Sequence, residues 1–158
     1  MQTTSEPQRE PDPRGAQARM TPLAELSDAS AQAIVAAALE QAALLGVRVS
    51  IAVVDQGGAL WRFVRMPGVH PATVDVALAK ARCAISFRRP TRLFAEGLAA
   101  GNLSLLATPG VIVLPGGIPF REAEPWLGAI GISGAAPDVD ERIAVAALDG
   151  SGLSYQKG

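Results

Sequence analysis

Few side chains in this sequence can take part in acid–base or metal chemistry. His70 is the only histidine of the chain, and Cys83 is the only cysteine. Any mechanism that needs an imidazole must therefore use His70, because imidazole is a common metal ligand and a common general acid or base. Lys80 lies on an otherwise apolar helical stripe, so it either extends its charge to solvent or reaches into a pocket. We expect His70, Lys80 and Asp55 to be the candidates for a general acid or base.

Arg65 is the candidate for binding an anionic group. Its guanidinium could hold a carboxylate or a haem propionate through two parallel hydrogen bonds. It could equally pair with Asp55 or Asp75, because the guanidinium fork suits both kinds of partner. His70 lies in a Pro/Gly loop, where it could be an axial metal ligand, a general acid or base, or an exposed residue without a role. Cys83 lies within a predicted helix and is expected to pack as an inert thiol.

The composition excludes several classes of protein. The chain has 158 residues, of which 49% are hydrophobic and 18% are charged, which is typical of one globular domain. Its 14 basic and 15 acidic residues give a net charge of −1, so nucleic acid is not an expected partner. One histidine and one cysteine can complete neither a disulfide framework nor a usual Cys/His zinc site.

No membrane or export segment is expected. The longest stretch without a charge, 97–120, is interrupted by prolines and glycines, which a spanning helix tolerates poorly. No compact apolar run precedes Met20, so a secretory signal peptide is not predicted. The expected compartment is the cytoplasm, which agrees with a lone thiol.

The hydrophobic pattern predicts an α+β fold in which a five-stranded antiparallel sheet is flanked by helices. Residues 1–20 contain no Val, Ile, Leu or Phe and are predicted to be a disordered leader, and 151–158 a loose tail. Between them, 27–150 form the single predicted domain. Short glycine turns favour antiparallel pairing. The predicted helices are 28–45, 71–87, a short one after Thr91, and 137–150; the predicted strands are 47–55, 60–65, 111–114, 118–121 and 127–133.

Two further patterns concern glycine in a strand and acidic residues at a helix start. The segment GAIGISG places Gly128, Gly131 and Gly134 at every third position of a strand, which indicates either close packing or a wall that faces a ligand or a subunit. Asp138, Asp140 and Glu141 begin the last helix, where acidic side chains suit the helix dipole.

These motifs together resemble the GlcG/HbpS family, the haem-degrading-domain family, which is related to the C-terminal domain of PduO. The resemblance covers about 27–150, and its motifs follow one another in the family's order. They are IAVVDQGGALWRFVRM (51–66), ALAKARCA (77–84), RPT (89–91), LPGGIPF (114–120), LGAIGISGA (127–135) and DERIA (140–144).

The resemblance implies a profilin-like sheet with helices on both sides and assembly into homodimers or larger rings, with pockets near subunit contacts. Some family members bind haem, so haem is the expected cofactor. Carried over by position, the ligand-binding candidates implied by the family pattern are Arg65, Lys80, Thr91, Gly116, Gly117 and Ser133.

The sequence also departs from the family pattern, around one predicted pocket mouth. Pro67 replaces an expected acidic residue, His70-Pro71 is unusual in its loop, and Cys83 stands where a hydroxyl residue is common. The axial haem ligand is not part of the shared motif, so His70 is proposed for that role only as the available imidazole.

Three functions remain open at this point. The favoured one is binding of haem or a related small ligand, with His70 on the iron and Arg65 or Lys80 on a propionate. The second is a small isomerase- or lyase-type enzyme that acts on a compact oxygenated acid. The third is an assembly module without chemistry, in which the glycine-rich strand and an exposed Trp126 form a subunit contact.

Overall fold

The computed structural model describes residues 25–156, and the predicted leader 1–20 lies outside this range. The helices are α1 (Asp28–Leu44), α2 (Thr73–Phe87), α3 (Arg92–Ala99) and α4 (Pro137–Asp149), with a 3-10 helix at Leu103–Ala107. The strands are β1 (Ser50–Asp55), β2 (Leu60–Arg65), β3 (Gly117–Arg121), β4 (Trp126–Ser133) and β5 (Ser154–Tyr155). In the described range, no helix is both long and apolar enough to span a bilayer.

All five strands pair antiparallel in one sheet with the order β2-β1-β4-β3-β5. This confirms the predicted α+β class. Side chains alternate along β1, so Ile51 and Val53 face the core formed with α1 and α4, while Ala52 and Val54 face α2. Helices therefore cover both faces of the sheet.

Local sequence signals fix the ends of α1. The Ser27 hydroxyl accepts a hydrogen bond from the Ser30 amide, so Ser27 is the N-cap and Asp28 is the first helical residue. Gly46 has a φ of +66°, the left-handed conformation that glycine adopts just past a helix end. The chain then turns directly into β1.

Two glycines of β4 are in close contact with neighbouring backbone. A Cβ atom added to Gly131 would lie 2.1 Å from the Ala77 carbonyl oxygen, so helix α2 packs directly on β4 there. A Cβ atom added to Gly128 would lie 2.1 Å from the Val54 carbonyl oxygen of β1. Of the two interpretations of GAIGISG, close packing applies to these two positions.

The fifth strand is not where the sequence pattern places it. The segment 111–114 was predicted to be a strand, but it has no partner in the sheet, and the Ile112 amide instead donates to the Cys83 sulfur. The segment 111–114 runs across α2 instead of joining the sheet. Pro115 has no backbone N–H to donate to a neighbouring strand, and Gly116 turns the chain with a φ of +117°. The fifth strand is β5, inside the predicted loose tail, where Ser154 and Tyr155 pair with β3.

We predict that Gly131→Ala destabilises the fold by at least about 2 kcal/mol, since the new methyl group must push α2 away from the sheet. Urea unfolding followed by circular dichroism measures this loss. The matched control is Gly150→Ala: no atom lies within 4 Å of a Cβ added there, and the φ of −86° suits alanine. Equal stability of the two variants would contradict the close packing of α2 on β4.

Candidate functional site

A cavity of about 700 Å³ opens at the edge of the sheet where β1 begins and β2 and β4 end. Its volume lies within the range of ligand and cofactor sites in proteins. Its walls come from the segment before β1, the loop before α2, the first turns of α2, and the connection from β4 to α4. The polar lining residues are Arg48, His70, Thr73, Lys80, Ser133 and Asp140.

The inner wall of the cavity contains a buried ion pair. The Lys80 ammonium donates to Asp140 Oδ2 and to the Ile132 carbonyl oxygen, both at 2.8 Å. The two side chains are 2% and 3% exposed. Asp140 Oδ1 accepts a further hydrogen bond from the Ala135 amide. Lys80 thus does not extend to solvent; the pair joins α2, β4 and α4.

Burial shifts the titration of both partners. Burial lowers the pKa of the Lys80 ammonium, and the hydrogen bond and the charge of Asp140 oppose that shift. Burial also raises the pKa of the Asp140 carboxyl, and the hydrogen bond and the charge of Lys80 oppose it. Each partner therefore keeps its charge chiefly because the other is present.

Glycine and threonine residues of the family pattern enclose this ion pair. A Cβ atom added to Gly116 would lie 3.0 Å from the Lys80 nitrogen, and one added to Gly117 would lie 2.3 Å from the Lys80 carbonyl oxygen. The Gly117 amide donates to the Thr91 hydroxyl at 2.9 Å, and the Thr91 amide donates to the Gly117 carbonyl oxygen at 2.9 Å. The polar groups of Thr91 and Gly117 are used within the fold, and neither residue lines the cavity.

A chain of hydroxyl groups fixes the loop that carries His70. Thr73 Oγ1 donates to the His70 carbonyl oxygen at 2.7 Å and contacts Ser50 Oγ at 2.8 Å. Because a hydroxyl has one proton, Ser50 must be the donor in the second bond. The His70 backbone is thus tied to β1, while its side chain is exposed at the cavity and has no hydrogen bond to the described residues.

Besides Thr91, Gly116 and Gly117, two further predicted site residues do not line the cavity. Asp55 lies at the opposite end of β1, where Oδ1 accepts from the amides of Gly57 and Ala59 and closes the β1–β2 turn. Arg65 donates to the Val69 carbonyl oxygen at 2.9 Å, so it supports the His70 loop from outside. It has no ion pair with Asp55 or Asp75 among the described residues.

Two further expectations concern packing. Cys83 is buried, and burial raises the pKa of its thiol, as an inert packing residue requires. Trp126 is half-buried and not exposed, because it packs on the α2 face of the sheet and the Arg121 guanidinium lies 5.4 Å from the ring centroid.

Sequence reasoning missed Arg48 and the role of Asp140. Asp140 shares a helical stripe with the buried Ile143, Ala144 and Ala147, so its spacing already placed it on the core side of α4. Arg48 alternates with the core residues Val47 and Val49, which directs it to the α2 side of the sheet. Both signals were available in the sequence.

Comparison with known proteins gives consistent matches. The model of the family described as "Haem degrading protein HbpS-like" matches residues 26–149. The chain belongs to the HbpS-like family. Protein GlcG of Escherichia coli strain K12 is 36% identical over 108 residues, which cover 68% of this chain and 81% of GlcG.

Two solved structures of the HbpS-like fold are especially informative. The crystal structure of a PduOC:heme complex superposes with a TM-score of 0.77 at 25% identity, covering 85% of this chain and all of that one. A double mutant of HbpS from Streptomyces reticuli gives a TM-score of 0.75 at 31% identity, covering 93% of this chain and 97% of that one. The fold and the family inferred from the motifs are confirmed.

We predict that Lys80→Met destabilises this HbpS-like protein by about 3–5 kcal/mol at neutral pH, because a buried carboxylate loses its partner. The substitution removes the two effects of Lys80 that lower the pKa of Asp140, so this pKa should rise further above its unfolded value. Such a carboxyl stabilises the fold below the unfolded pKa, and that stability is lost as the pH rises through the folded pKa. The deficit should therefore shrink on acidification, which urea unfolding over a pH series measures.

The control for this prediction is Arg62→Met, which removes the cation of the exposed ion pair between Arg62 and Asp28. We expect a loss of at most about 1 kcal/mol from it. A deficit of Lys80→Met that is as small as that of the control, or that does not change with pH, would be inconsistent with a buried ion pair.

Proposed function

We propose that this protein binds haem in the cavity beside β1 and β4, with His70 as the axial ligand of the iron. The observation that carries the proposal is the position of the chain's single imidazole on the wall of this cavity. Membership of the HbpS-like family and the likeness to a haem complex of PduOC support it.

The donor set of the cavity fits such a cofactor. A neutral imidazole nitrogen is a common axial ligand, and the His70 side chain has no hydrogen bond within residues 25–156 that would occupy it. The side chains of Val47, Val69, Val76 and Leu114 supply apolar surface for the porphyrin ring. Bound haem would supply one-electron and oxygen chemistry, while the protein would set its position and its access to solvent.

Neither cation expected to meet a propionate is free to do so. Arg65 is used on the Val69 carbonyl oxygen and does not line the cavity. Lys80 lines the cavity, but its charge is balanced by Asp140. His70 is therefore the residue of the original set on which the haem proposal depends.

We predict that hemin added to the wild-type protein gives a shifted Soret band and that His70→Ala abolishes this shift, because the iron loses its nitrogen ligand. The affinity for hemin should fall at least about tenfold, or ~1.4 kcal/mol. Free imidazole added to His70→Ala should restore the shifted band by filling the vacated position.

A matched control for this titration is Gln56→Ala, an exposed loop residue at the opposite edge of the sheet. It should leave the spectrum and the affinity unchanged. If His70→Ala keeps the Soret position and affinity of the wild type, His70 is not the iron ligand and the proposal fails.

A second candidate function is acid–base catalysis on a compact oxygenated acid, and the shifted ion pair favours it. Burial lowers the pKa of Lys80 and raises that of Asp140, in the same cavity as the exposed His70. The role predicted for Asp55 is not part of this candidate, since Asp55 closes the hairpin turn at the other end of β1.

This candidate predicts that the haem-free protein accelerates exchange of the methyl protons of pyruvate with D2O, which NMR follows directly. The exchange should be lost in His70→Gln, which keeps a polar side chain but cannot accept and release a proton near neutral pH. Exchange at the rate of the buffer alone, or an unaltered rate in His70→Gln, would rule out this use of the cavity.

Self-association and a cytoplasmic location remain predictions. Large apolar side chains are exposed near one another in sequence, on the 3-10 helix at Leu103 and Leu106 and at the cavity residue Leu114. Such side chains are typical of a surface that another protein covers. We propose that a homo-oligomer uses this region, and light scattering of Leu103→Ser would test it.

A further inference from the structure

One wall of the cavity carries a guanidinium that the fold itself does not use. Arg48 is exposed, lines the cavity, and makes no hydrogen bond or ion pair with the described residues. Arg62 and Arg92, in contrast, have ion-pair partners: Arg62 pairs with Asp28, and Arg92 pairs with Glu96 and Glu141. Arg48 is thus a free cation at a concave site.

The guanidinium of Arg48 lies against the loop that carries His70. A Cβ atom added to Gly68 would lie 2.6 Å from Arg48 Nη1, so the guanidinium rests against the backbone of that loop. The φ of Gly68 is +79°, a conformation that other residues rarely adopt. Arg48 and His70 therefore lie on the same side of the cavity, because the loop that carries His70 also contacts the Arg48 guanidinium.

A hydroxyl that the fold does not use borders the same cavity. Ser133 is 7% exposed, and its hydroxyl has no hydrogen bond within the part of the chain that the structure describes. Its neighbour across the sheet, Ser50, uses its own hydroxyl on Thr73. Among the described residues, no buried side-chain oxygen lacks a hydrogen-bond partner, so the Ser133 hydroxyl must be reached by solvent. Because Ser133 lines the cavity, a ligand bound there can take the place of that solvent.

Backbone contacts bring Ser133 and Arg48 to adjoining positions. A Cβ atom added to Gly134, the residue after Ser133, would lie 2.5 Å from the Arg48 carbonyl oxygen. The segment that ends β4 therefore packs against the segment that leads into β1. The two side chains are held by chain segments in direct contact.

The charges that line the cavity favour a ligand with one negative charge. Among the described residues that line the cavity, only Asp140 is acidic, and Lys80 balances it, which leaves the charge of Arg48 in excess. The Ala135 amide is bonded to Asp140, and the Thr73 amide to the His70 carbonyl oxygen, so neither is free to bind a phosphate. A guanidinium with a nearby hydroxyl matches a carboxylate.

We propose that Arg48 and Ser133 form a carboxylate-binding site in this cavity. The carboxylate belongs either to a haem propionate or to a small carboxylic acid, and both present the same group to Arg48. The inference takes from the proposed function only that this cavity is the ligand site; it does not depend on the iron ligand.

The first arm of the test uses lactate and its neutral analogue lactamide on the haem-free protein, with binding measured by saturation-transfer NMR. Lactate should bind and lactamide should not, since only lactate carries the charge that Arg48 recognises. Arg48→Gln should weaken lactate binding about tenfold, the scale of a lost charge-assisted contact. Ser133→Ala should weaken it less, because a neutral donor is lost.

The second arm compares hemin with hemin dimethyl ester, in which both propionates are neutral. If propionate is the natural partner, Arg48→Gln should weaken hemin about tenfold and leave the ester unaffected. The control in both arms is Arg142→Gln, which removes one exposed positive charge of α4 away from this cavity. It should leave all affinities unchanged.

The outcomes separate this inference from the haem proposal. Binding of lactate that depends on Arg48, in a protein that does not bind hemin, upholds the carboxylate site and rejects haem. The carboxylate site is overturned, and the haem proposal is kept, by the following combination of results. Hemin binding requires His70, is as tight as binding of the ester and is unchanged in Arg48→Gln, and the protein shows no preference for lactate over lactamide. An equal effect of Arg48→Gln and Arg142→Gln would also overturn it, since only net charge would then matter.

Discussion

A buried ion pair between Lys80 and Asp140 connects three elements of this fold at one point. The ammonium of α2 reaches across the end of β4, bonds the Ile132 carbonyl oxygen, and meets the carboxylate of α4. Both groups are almost fully removed from water, so each is stable as an ion only in the presence of the other. The relative positions of α2, β4 and α4, and therefore the cavity between them, depend on this contact.

The close approach of the backbone to this pair follows from small residues. Gly116 and Gly117 come within contact distance of Lys80, and Gly131 lets α2 lie directly on β4. Larger side chains at these positions would separate the layers and weaken the attraction between the two charges. The glycine pattern and the ion pair are thus two parts of one packing arrangement.

The cavity divides its polar groups into those that build it and those that remain available. Contacts within the protein already use the polar groups of Lys80, Asp140 and Thr73. His70 and Arg48 lie on the outer wall, are exposed, and have no partner among the described residues. This arrangement suits ligand binding, because no contact within the protein has to break before His70 and Arg48 can bind a ligand.

Much of the fold was predictable from local pattern, and the site was predictable in part. The period of 3.6 predicted α1 and α2, and alternation predicted β1. Pro137 and the acidic first turn predicted α4, while β5 was missed because two residues cannot show a period. Lys80 was recognised from its apolar stripe, but its partner lies 60 residues away, and a sequence does not show which acid a buried lysine will meet. Arg65 was the predicted anion-binding residue, but the fold uses it on the Val69 carbonyl oxygen and brings Arg48 to the cavity instead.

The most direct measurement is a crystal structure of the protein loaded with hemin. The account predicts that the porphyrin lies in the cavity beside β1 and β4, that an imidazole nitrogen of His70 coordinates the iron, and that the contact between Lys80 and Asp140 is unchanged. The account would be contradicted by haem bound at another surface. It would also be contradicted by iron that is held by a residue other than His70 while the cavity stays empty.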